Sequence, residues 1–114
     1  MAIYCNLTVF QDTYKLFLNF VKLSSNMHRD FRYSLGEQTK RAIMDVMLDI
    51  FRANSNRDKV KYINDAREKM VETQIIIRVL HETRQISTKQ FALMMDSTST
   101  ISKQLANWGK SCKV

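Results

Sequence analysis

The scarcity of turn residues limits what this chain can fold into more than any other feature of its sequence. The 114 residues contain no proline and only two glycines, Gly36 and Gly109. A β-sandwich or an α/β fold needs turn residues at many joints, whereas a few long helices joined by short polar links need few. At this length there is room for one hydrophobic core, so we expect a single helical domain over residues 1–114.

Apolar residues recur at helical spacing in four segments of the chain. The predicted helices cover roughly residues 8–23, 28–53, 57–84 and 87 to the C-terminal end. Links of about two to five polar residues separate them, and links that short join antiparallel neighbours. The sequence therefore predicts an all-α fold, an antiparallel up-down-up-down four-helix bundle.

Two of the predicted helices begin with the pattern of a capping box, in which two side chains bind each other's backbone amide. In "TVFQ", Thr8 would cap the first helix and Gln11 would reach back to it. In "STKQ", Ser87 and Gln90 would do the same for the fourth helix.

The chain is strongly basic. Eighteen Lys and Arg against eleven Asp and Glu give a net charge of +7 and a pI near 9.7. Such a surface attracts polyanions, of which nucleic acid is the commonest. The alternative is a surface that is merely basic and keeps the protein in solution.

Three groups of basic residues are candidates for contacts with nucleic-acid phosphates. They are Arg29, Arg32, Lys40 and Arg41 in the second helix, Arg57, Lys59 and Lys61 after the second link, and Lys103, Lys110 and Lys113 near the C-terminal end. Phosphate contacts of this kind are independent of base sequence and strongly dependent on salt. The alternative for any one of these residues is an ion pair with a nearby acid such as Asp30, Glu37 or Asp58.

No catalytic or metal-binding motif is present in the sequence. Cys5 and Cys112 lie at opposite ends of the chain, so reduced thiols are expected rather than a disulfide. His28 and His81 are far apart and have no cysteine nearby to complete a zinc site. There is no P-loop and no G-x-S-x-G. We expect no enzyme activity, no cofactor and no metal.

Asp45 and Asp49 stand one helical turn apart, a spacing that could serve a metal ion or an acid pair. With no E-x-x-H motif beside them, a solvated or salt-bridged helix face is the better interpretation. No signal peptide is evident, and no run of ~18 apolar residues could span a membrane. We therefore expect a cytoplasmic protein with no membrane partner.

The second and third helices carry more apolar residues than one bundle core needs. Leu48 and Phe51 widen the apolar face of the second helix, and residues 75–77 are all isoleucine. Surplus apolar surface predicts a homo-oligomer, the alternative being a thick core. Arg78, directly after the isoleucines, would either extend its charged end to water or line a subunit interface.

Gly36 lies inside the second predicted helix, where glycine costs about 0.8–1.0 kcal/mol relative to alanine. Close approach of another backbone would offset that cost. We expect Gly36 to mark a tight helix crossing.

Four stretches in this order resemble a family of small four-helix proteins over nearly the whole chain. They are "KLSSNMHRDFRYSLGEQTKRA", "DIFRANSNRDK", "IIIRVLHETRQIS" and "QLANWGKS". One branch of the family is encoded in intervening sequences of bacterial large-subunit rRNA genes. The other comprises accessory variability determinants of diversity-generating retroelements. The chain departs from the family pattern at His28, where proline is usual.

The resemblance implies an antiparallel four-helix bundle that assembles into a ring-like homopentamer with a basic surface. In the retroelement branch, such proteins bind a reverse transcriptase and its RNA, with DNA as a second nucleic acid, and support mutagenic cDNA synthesis. The resemblance also implies an interface role for Arg78, and we expect Gly36 and Trp108 at a subunit or partner interface as well. The alternatives are an rRNA intervening-sequence protein with an RNA-related role and a purely structural oligomerisation module.

Overall fold

The computed structural model describes residues 3–112 of the chain. Its elements are a 3₁₀ helix Tyr4–Asn6, α1 Thr8–Ser24, α2 Arg29–Arg32, α3 Leu35–Ser55, α4 Lys59–Glu82 and α5 Thr88–Cys112. The four long helices correspond to the four predicted ones. Their described ends differ from the predicted ends by one or two residues, except that α3 begins at Leu35 and the predicted second helix at residue 28. Within residues 3–112, no helix is both long enough and apolar enough to cross a bilayer.

The four long helices form an antiparallel bundle, which confirms the predicted architecture. Neighbouring helices pack α1 on α3, α3 on α4, α4 on α5 and α5 on α1. Polar side chains also join neighbouring helices. Gln104 Nε2 of α5 donates to Asp12 Oδ2 of α1 at 2.8 Å, and Gln74 Nε2 of α4 donates to Thr98 Oγ1 of α5 at 3.1 Å. The bundle measures 45 × 20 × 19 Å, so its two ends are well separated.

Large aliphatic and aromatic side chains fill the centre of the bundle. The fully buried ones include Phe20, Ile43, Ile50, Ile77 and Leu105. Each long helix also buries one threonine: Thr13, Thr39, Thr73 or Thr98. The threonine hydroxyls donate to backbone carbonyls three or four residues earlier in the same helix, so burial leaves none of them without a partner.

The predicted second helix over residues 28–53 is wrong as a continuous helix. It is broken at Tyr33 and Ser34, and the backbone of Ser34 has φ −121° and ψ −91°, outside the helical region. The Ser34 hydroxyl donates to the carbonyl of Asp30 instead. The Ser34 amide turns to the carbonyl of Phe31, three residues back, at 3.3 Å, so the i−4 backbone bond of a helix is not made at this position.

Gly36 is buried in the first turn of α3, directly after this break. A Cβ at this position would lie 3.2 Å from the backbone oxygen of Phe31 in α2 and 3.9 Å from Cβ of Ser24 in α1. A backbone does approach the glycine closely, as predicted. It belongs to the preceding short helix, however, and not to a crossing of two long helices.

The two predicted capping boxes have different outcomes. Ser87 N donates to Gln90 Oε1 at 2.8 Å and Gln90 N donates to Ser87 Oγ at 3.1 Å, which confirms the box that begins α5. The box at Thr8 is wrong, because Leu7 occupies the N-cap and no side chain caps α1. Gln11 Nε2 contacts the carbonyl of Cys5 at 3.4 Å instead.

Candidate nucleic-acid interface

The basic residues singled out from the sequence gather mainly at the two ends of the bundle, not along one side. Arg29 and Arg32 lie in α2, at the end where α4 runs into α5. We call this the α2 end. Arg57 and Lys61 lie at the other end, where α3 runs into α4, and Lys110 in the last turn of α5 joins them there. We call this the far end.

A long-range hydrogen bond builds the α2 end. The backbone amide of His28 donates to Oε1 of Gln85 at 2.8 Å, which joins the start of α2 to the link between α4 and α5. Arg29 and Arg84 are the chain neighbours of these two residues, and both are exposed. Lys89 is exposed in the first turn of α5. The fold therefore collects exposed cations from two regions about 57 residues apart in sequence.

Two of these cations stand where the local backbone disfavours them. Arg84 has φ 62°, the left-handed region that costs an L-residue about 1–2 kcal/mol and that glycine adopts freely. Its position ends α4: Gln85 N donates to the carbonyl of Leu80 at 2.8 Å and Arg84 N to that of His81 at 3.0 Å. Lys89 places a positive charge in the first turn of a helix, where the helix dipole opposes it. Backbone strain of the kind seen at Arg84 clusters at functional sites.

Arg32 is less free than its neighbours at the α2 end. It is half-buried, and its Nη1 donates to the carbonyl of Ser25 at 3.4 Å. Its guanidinium carbon lies 5.1 Å from the centre of the Tyr33 ring. These contacts hold α2 against the end of α1, so Arg32 serves packing as well as charge.

Lys40 and Arg41 lie farther along α3, away from the exposed cations of the α2 end. Lys40 Nζ is 3.4 Å from Oε1 of Glu37, the pairing that the sequence offered as the alternative to phosphate contact. Arg41 lines a cleft between α3 and α4 together with Lys69 and with acidic residues that include Asp45 and Glu72. Acids outnumber cations in that cleft, so it is a poor site for phosphate.

At the far end, Lys59 is already engaged within the chain. Its Nζ donates to the carbonyls of Ala53 at 2.8 Å and Asn54 at 3.2 Å, which satisfies the C-terminal turn of α3. Arg57, Lys61 and Lys110 are exposed. The far end therefore offers three exposed cations, and Lys59 fixes the link that carries one of them, Arg57.

The remaining predicted residues are dispersed. Lys103 lies in a groove between α4 and α5 with Arg67 and Glu68. Lys113 lies outside the described residues. Trp108 is half-buried against the core, Gly36 is buried within the chain, and Arg78 is exposed on α4. The interface roles expected for Trp108, Gly36 and Arg78 stay predictions.

Asp45 and Asp49 lie in ion pairs, as the salt-bridged interpretation expected. Asp45 Oδ2 is 3.6 Å from Lys69 Nζ, and Asp49 Oδ1 is 3.2 Å from Arg52 Nη1. Burial raises the pKa of Asp49. The hydrogen bond from Arg52 lowers this pKa, and the negative charge of Asp65 raises it further. Glu72 is the main cause of a raised pKa at Lys69. In the described part of the chain, no three His, Cys, Asp or Glu side chains gather as a metal site would require.

Arg84 and Lys89 were missed by the interpretation of the sequence, although both lie at the α2 end with Arg29. A signal was available. In an up-down bundle, the first and third links lie at the same end, so cations in the third link belong with those in the first.

Comparison with known proteins places the chain in a family. The sequence model of the 23S rRNA-intervening sequence protein family matches residues 5–107. A crystal structure at 1.70 Å of a protein with unknown function from the S23 ribosomal protein family of Bacteroides thetaiotaomicron VPI-5482 has a TM-score of 0.81 to this chain. The two are 20% identical, over 90% of this chain and 99% of the other, a likeness that shows a shared fold. No curated protein matches the sequence significantly. Since the family match spans most of its length, this chain belongs to the 23S rRNA-intervening sequence protein family.

Proposed function

We propose that this protein is a non-enzymatic RNA-binding protein that works as a homo-oligomer. The observation that carries the RNA-binding part is the α2 end, where the His28–Gln85 hydrogen bond brings Arg29 and Arg84 together. Both cations are exposed, and Arg84 occupies a backbone position that glycine would fill at lower cost. Exposed apolar side chains on α1, α3 and α4 support the homo-oligomer.

Binding would rest on phosphate contacts from both basic ends of each subunit. Such contacts neutralise phosphate charge and position the RNA, and they carry no base specificity of their own. An oligomer would repeat the pair of basic ends around its assembly. Several modest contacts on one RNA then add up to tight binding.

The test is RNA affinity across a salt series, measured by fluorescence anisotropy with a structured RNA. The variant Arg29→Ala/Arg84→Ala should bind RNA about tenfold more weakly at low salt. Its plot of log affinity against log salt concentration should be shallower by the amount that about two phosphate contacts contribute. The control Lys15→Ala/Arg67→Ala removes the same charge from the sides of the bundle and should keep wild-type affinity. Equal affinities of the two variants at low salt would reject the α2 end as the RNA surface.

Two settings for this activity are supported by different observations. The resemblance in sequence supports an accessory variability determinant of a diversity-generating retroelement, a homopentamer that holds reverse transcriptase and template RNA together during mutagenic cDNA synthesis. The family match supports, at least as well, a protein encoded in an intervening sequence of a 23S rRNA gene.

The position of the gene separates the two settings. A neighbouring reverse transcriptase gene, with paired repeats that differ at adenines, supports the retroelement role, and the purified transcriptase should then bind this protein. A gene inside an rRNA operon supports the intervening-sequence role.

A further inference from the structure

Two apolar faces of the bundle are exposed on different sides. The first, which we call the α1–α3 face, consists of Tyr14, Leu18 and Val21 of α1 and Met44, Leu48 and Phe51 of α3. In each helix the three residues are spaced by four and then three positions, which places them on one stripe. The centre of the Tyr4 ring lies 5.1 Å from the ring centres of both Phe10 in α1 and Phe51 in α3. Tyr4 therefore links the two helices at one end of this face.

The second face lies on α4 alone. It consists of Val71, Ile75 and Val79, which are 55%, 56% and 39% exposed. They are spaced by four residues and form one stripe on the side of α4 away from the core. We call this the α4 face.

Charged residues of opposite sign end the two stripes. On α3, Arg41 stands three residues before Met44 and Arg52 four residues after Leu48. On α4, the acid Glu68 stands three residues before Val71, and the acid Glu82 stands three residues after Val79. These two acids and the two arginines are all exposed. Arg52 pairs with Asp49 of its own chain, whereas Arg41, Glu68 and Glu82 make no ion pair within the described residues.

We propose that the α1–α3 face of one copy binds the α4 face of a second copy, with α4 of the second copy lying antiparallel to α3 in the groove beside α1. This inference rests on the proposed homo-oligomer and names the surfaces that form it. From Arg41 a line through Met44 and Leu48 to Arg52 steps by three, four and four residues along α3 and passes beside Phe51. From Glu82 the α4 stripe steps backward by the same intervals.

In that register, Arg41 meets Glu82, Met44 meets Val79 and Leu48 meets Ile75, and Arg52 reaches Glu68 one turn beyond Val71. Binding of either face to itself would place cation against cation or acid against acid, which disfavours a symmetric contact. Each copy has one face of each kind, so the contact repeats head to tail from copy to copy.

Arg78 borders the α4 face and does not lie at its centre. It is one helical turn after Gln74, whose side chain reaches Thr98 of α5, so Arg78 is on the α5 side of the stripe. Residues at the rim of an interface contribute less than those at its centre. Arg78→Ala should therefore weaken assembly less than a change at Ile75.

Mixing two blocked variants tests the proposal. Leu48→Asp disables the α1–α3 face and Ile75→Asp disables the α4 face, both at exposed positions where circular dichroism should show an unchanged helix content. By light scattering, each variant alone should weigh 13.4 kDa, and the equimolar mixture should form a complex of twice that mass and no larger. If Ile75→Asp alone assembles like the wild type, or if the mixture stays monomeric, the head-to-tail contact is overturned.

A charge exchange tests the register. Arg41→Glu and Glu82→Arg should each weaken self-association about tenfold, and the double variant should recover most of it. Asp96→Arg makes a charge reversal of the same size at an exposed position on α5 and should leave assembly unchanged. Weakening in both single variants without recovery in the double variant overturns the pairing of Arg41 with Glu82.

The mass of the wild-type protein distinguishes failure of the proposed homo-oligomer from failure of the two proposed faces. A wild-type protein that stays at 13.4 kDa at high concentration contradicts the proposed homo-oligomer itself. A wild-type oligomer that survives all of these substitutions contradicts only the faces proposed here.

Discussion

The backbone amide of His28 donates to the side-chain oxygen of Gln85 at 2.8 Å, across 57 residues of sequence. This bond fixes the start of α2 to the turn that ends α4, and it caps an amide that no helix would satisfy. His28 in turn accepts at Nδ1 from the amide of Asp30 at 3.3 Å. The short helix α2 is thereby held at its N-cap, His28, and at its second residue, Asp30, with Arg29 between them.

Gln85→Ala should therefore loosen the α2 end. Loss of the acceptor leaves the His28 amide to water and should lower the free energy of unfolding by about 1 kcal/mol, measured by urea denaturation. Gln85→Glu is the matched control, because it keeps an acceptor oxygen at the same place. Both variants lose the bond from Gln85 Nε2 to the carbonyl of Thr83, so a difference between them isolates the His28 bond. Equal losses would show that the His28 bond adds no stability.

Arg84→Gly should stabilise the fold and weaken RNA binding at once. Relief of the left-handed backbone at φ 62° is partly offset by the greater freedom of glycine in the unfolded chain, so the net gain should be about 0.5–1 kcal/mol in urea denaturation. Arg84→Ala removes the same charge and keeps the Cβ. It should weaken RNA binding equally without the gain in stability. A stability gain in the alanine variant would mean that charge repulsion, not backbone strain, is what Arg84 costs.

Local patterns in the sequence predicted local structure well where the pattern itself forms the bonds. Ser87 and Gln90 bind each other within four residues and place the start of α5, whereas Thr8 and Gln11, in the same pattern, do not form the box. The break at Tyr33 and Ser34 could not be read in the same way. The helical spacing of apolar residues continues through the break. The bond from the Ser34 hydroxyl to the Asp30 carbonyl depends on the local backbone conformation, which the sequence pattern does not show.

The candidate site was predicted only in part, because charge alone does not show which cations are free. Arg29 was correctly placed among exposed residues at a helix start. Lys59 looks equivalent in sequence, yet it serves the carbonyls of Ala53 and Asn54. That role depends on how the link between α3 and α4 turns, which residue types do not specify. The position of Arg84 in the third link pointed to the α2 end and was overlooked, whereas nothing in the sequence marks its left-handed backbone.

The two glycines should respond in opposite ways to replacement by alanine. At Gly109 the new methyl group would lie 3.5 Å from Cγ2 of Ile63, an ordinary contact, so Gly109→Ala should gain about 0.5–1 kcal/mol from helix propensity. At Gly36 it would lie 3.2 Å from the carbonyl oxygen of Phe31, which the Ser34 amide holds at 3.3 Å. Gly36→Ala should lose about 1 kcal/mol, since displacement of that backbone outweighs the propensity gain.

Thermal or urea unfolding of the two alanine variants side by side checks this pair. A gain at both positions would mean that α2 shifts freely and that its packing against α3 is loose.

Asp49 should make the protein less stable at neutral pH than an uncharged residue would. Burial raises the pKa of its carboxyl above 3.8, so the folded chain holds this proton more tightly than the unfolded chain. The free energy of unfolding then falls as pH rises through the raised pKa, and the cost is present above it. Asp49→Asn lacks the charge, keeps an oxygen for Arg52 and relieves repulsion from Asp65, so it should be more stable than the wild type at pH 7. Urea denaturation should show that advantage shrinking as the pH is lowered towards 4, because the wild-type carboxyl becomes protonated.

Asp45→Asn is the control: it removes a partner of the half-exposed Lys69 and should bring no gain at pH 7. A loss of stability in Asp49→Asn at neutral pH would mean that attraction to Arg52 outweighs the burial of the charge.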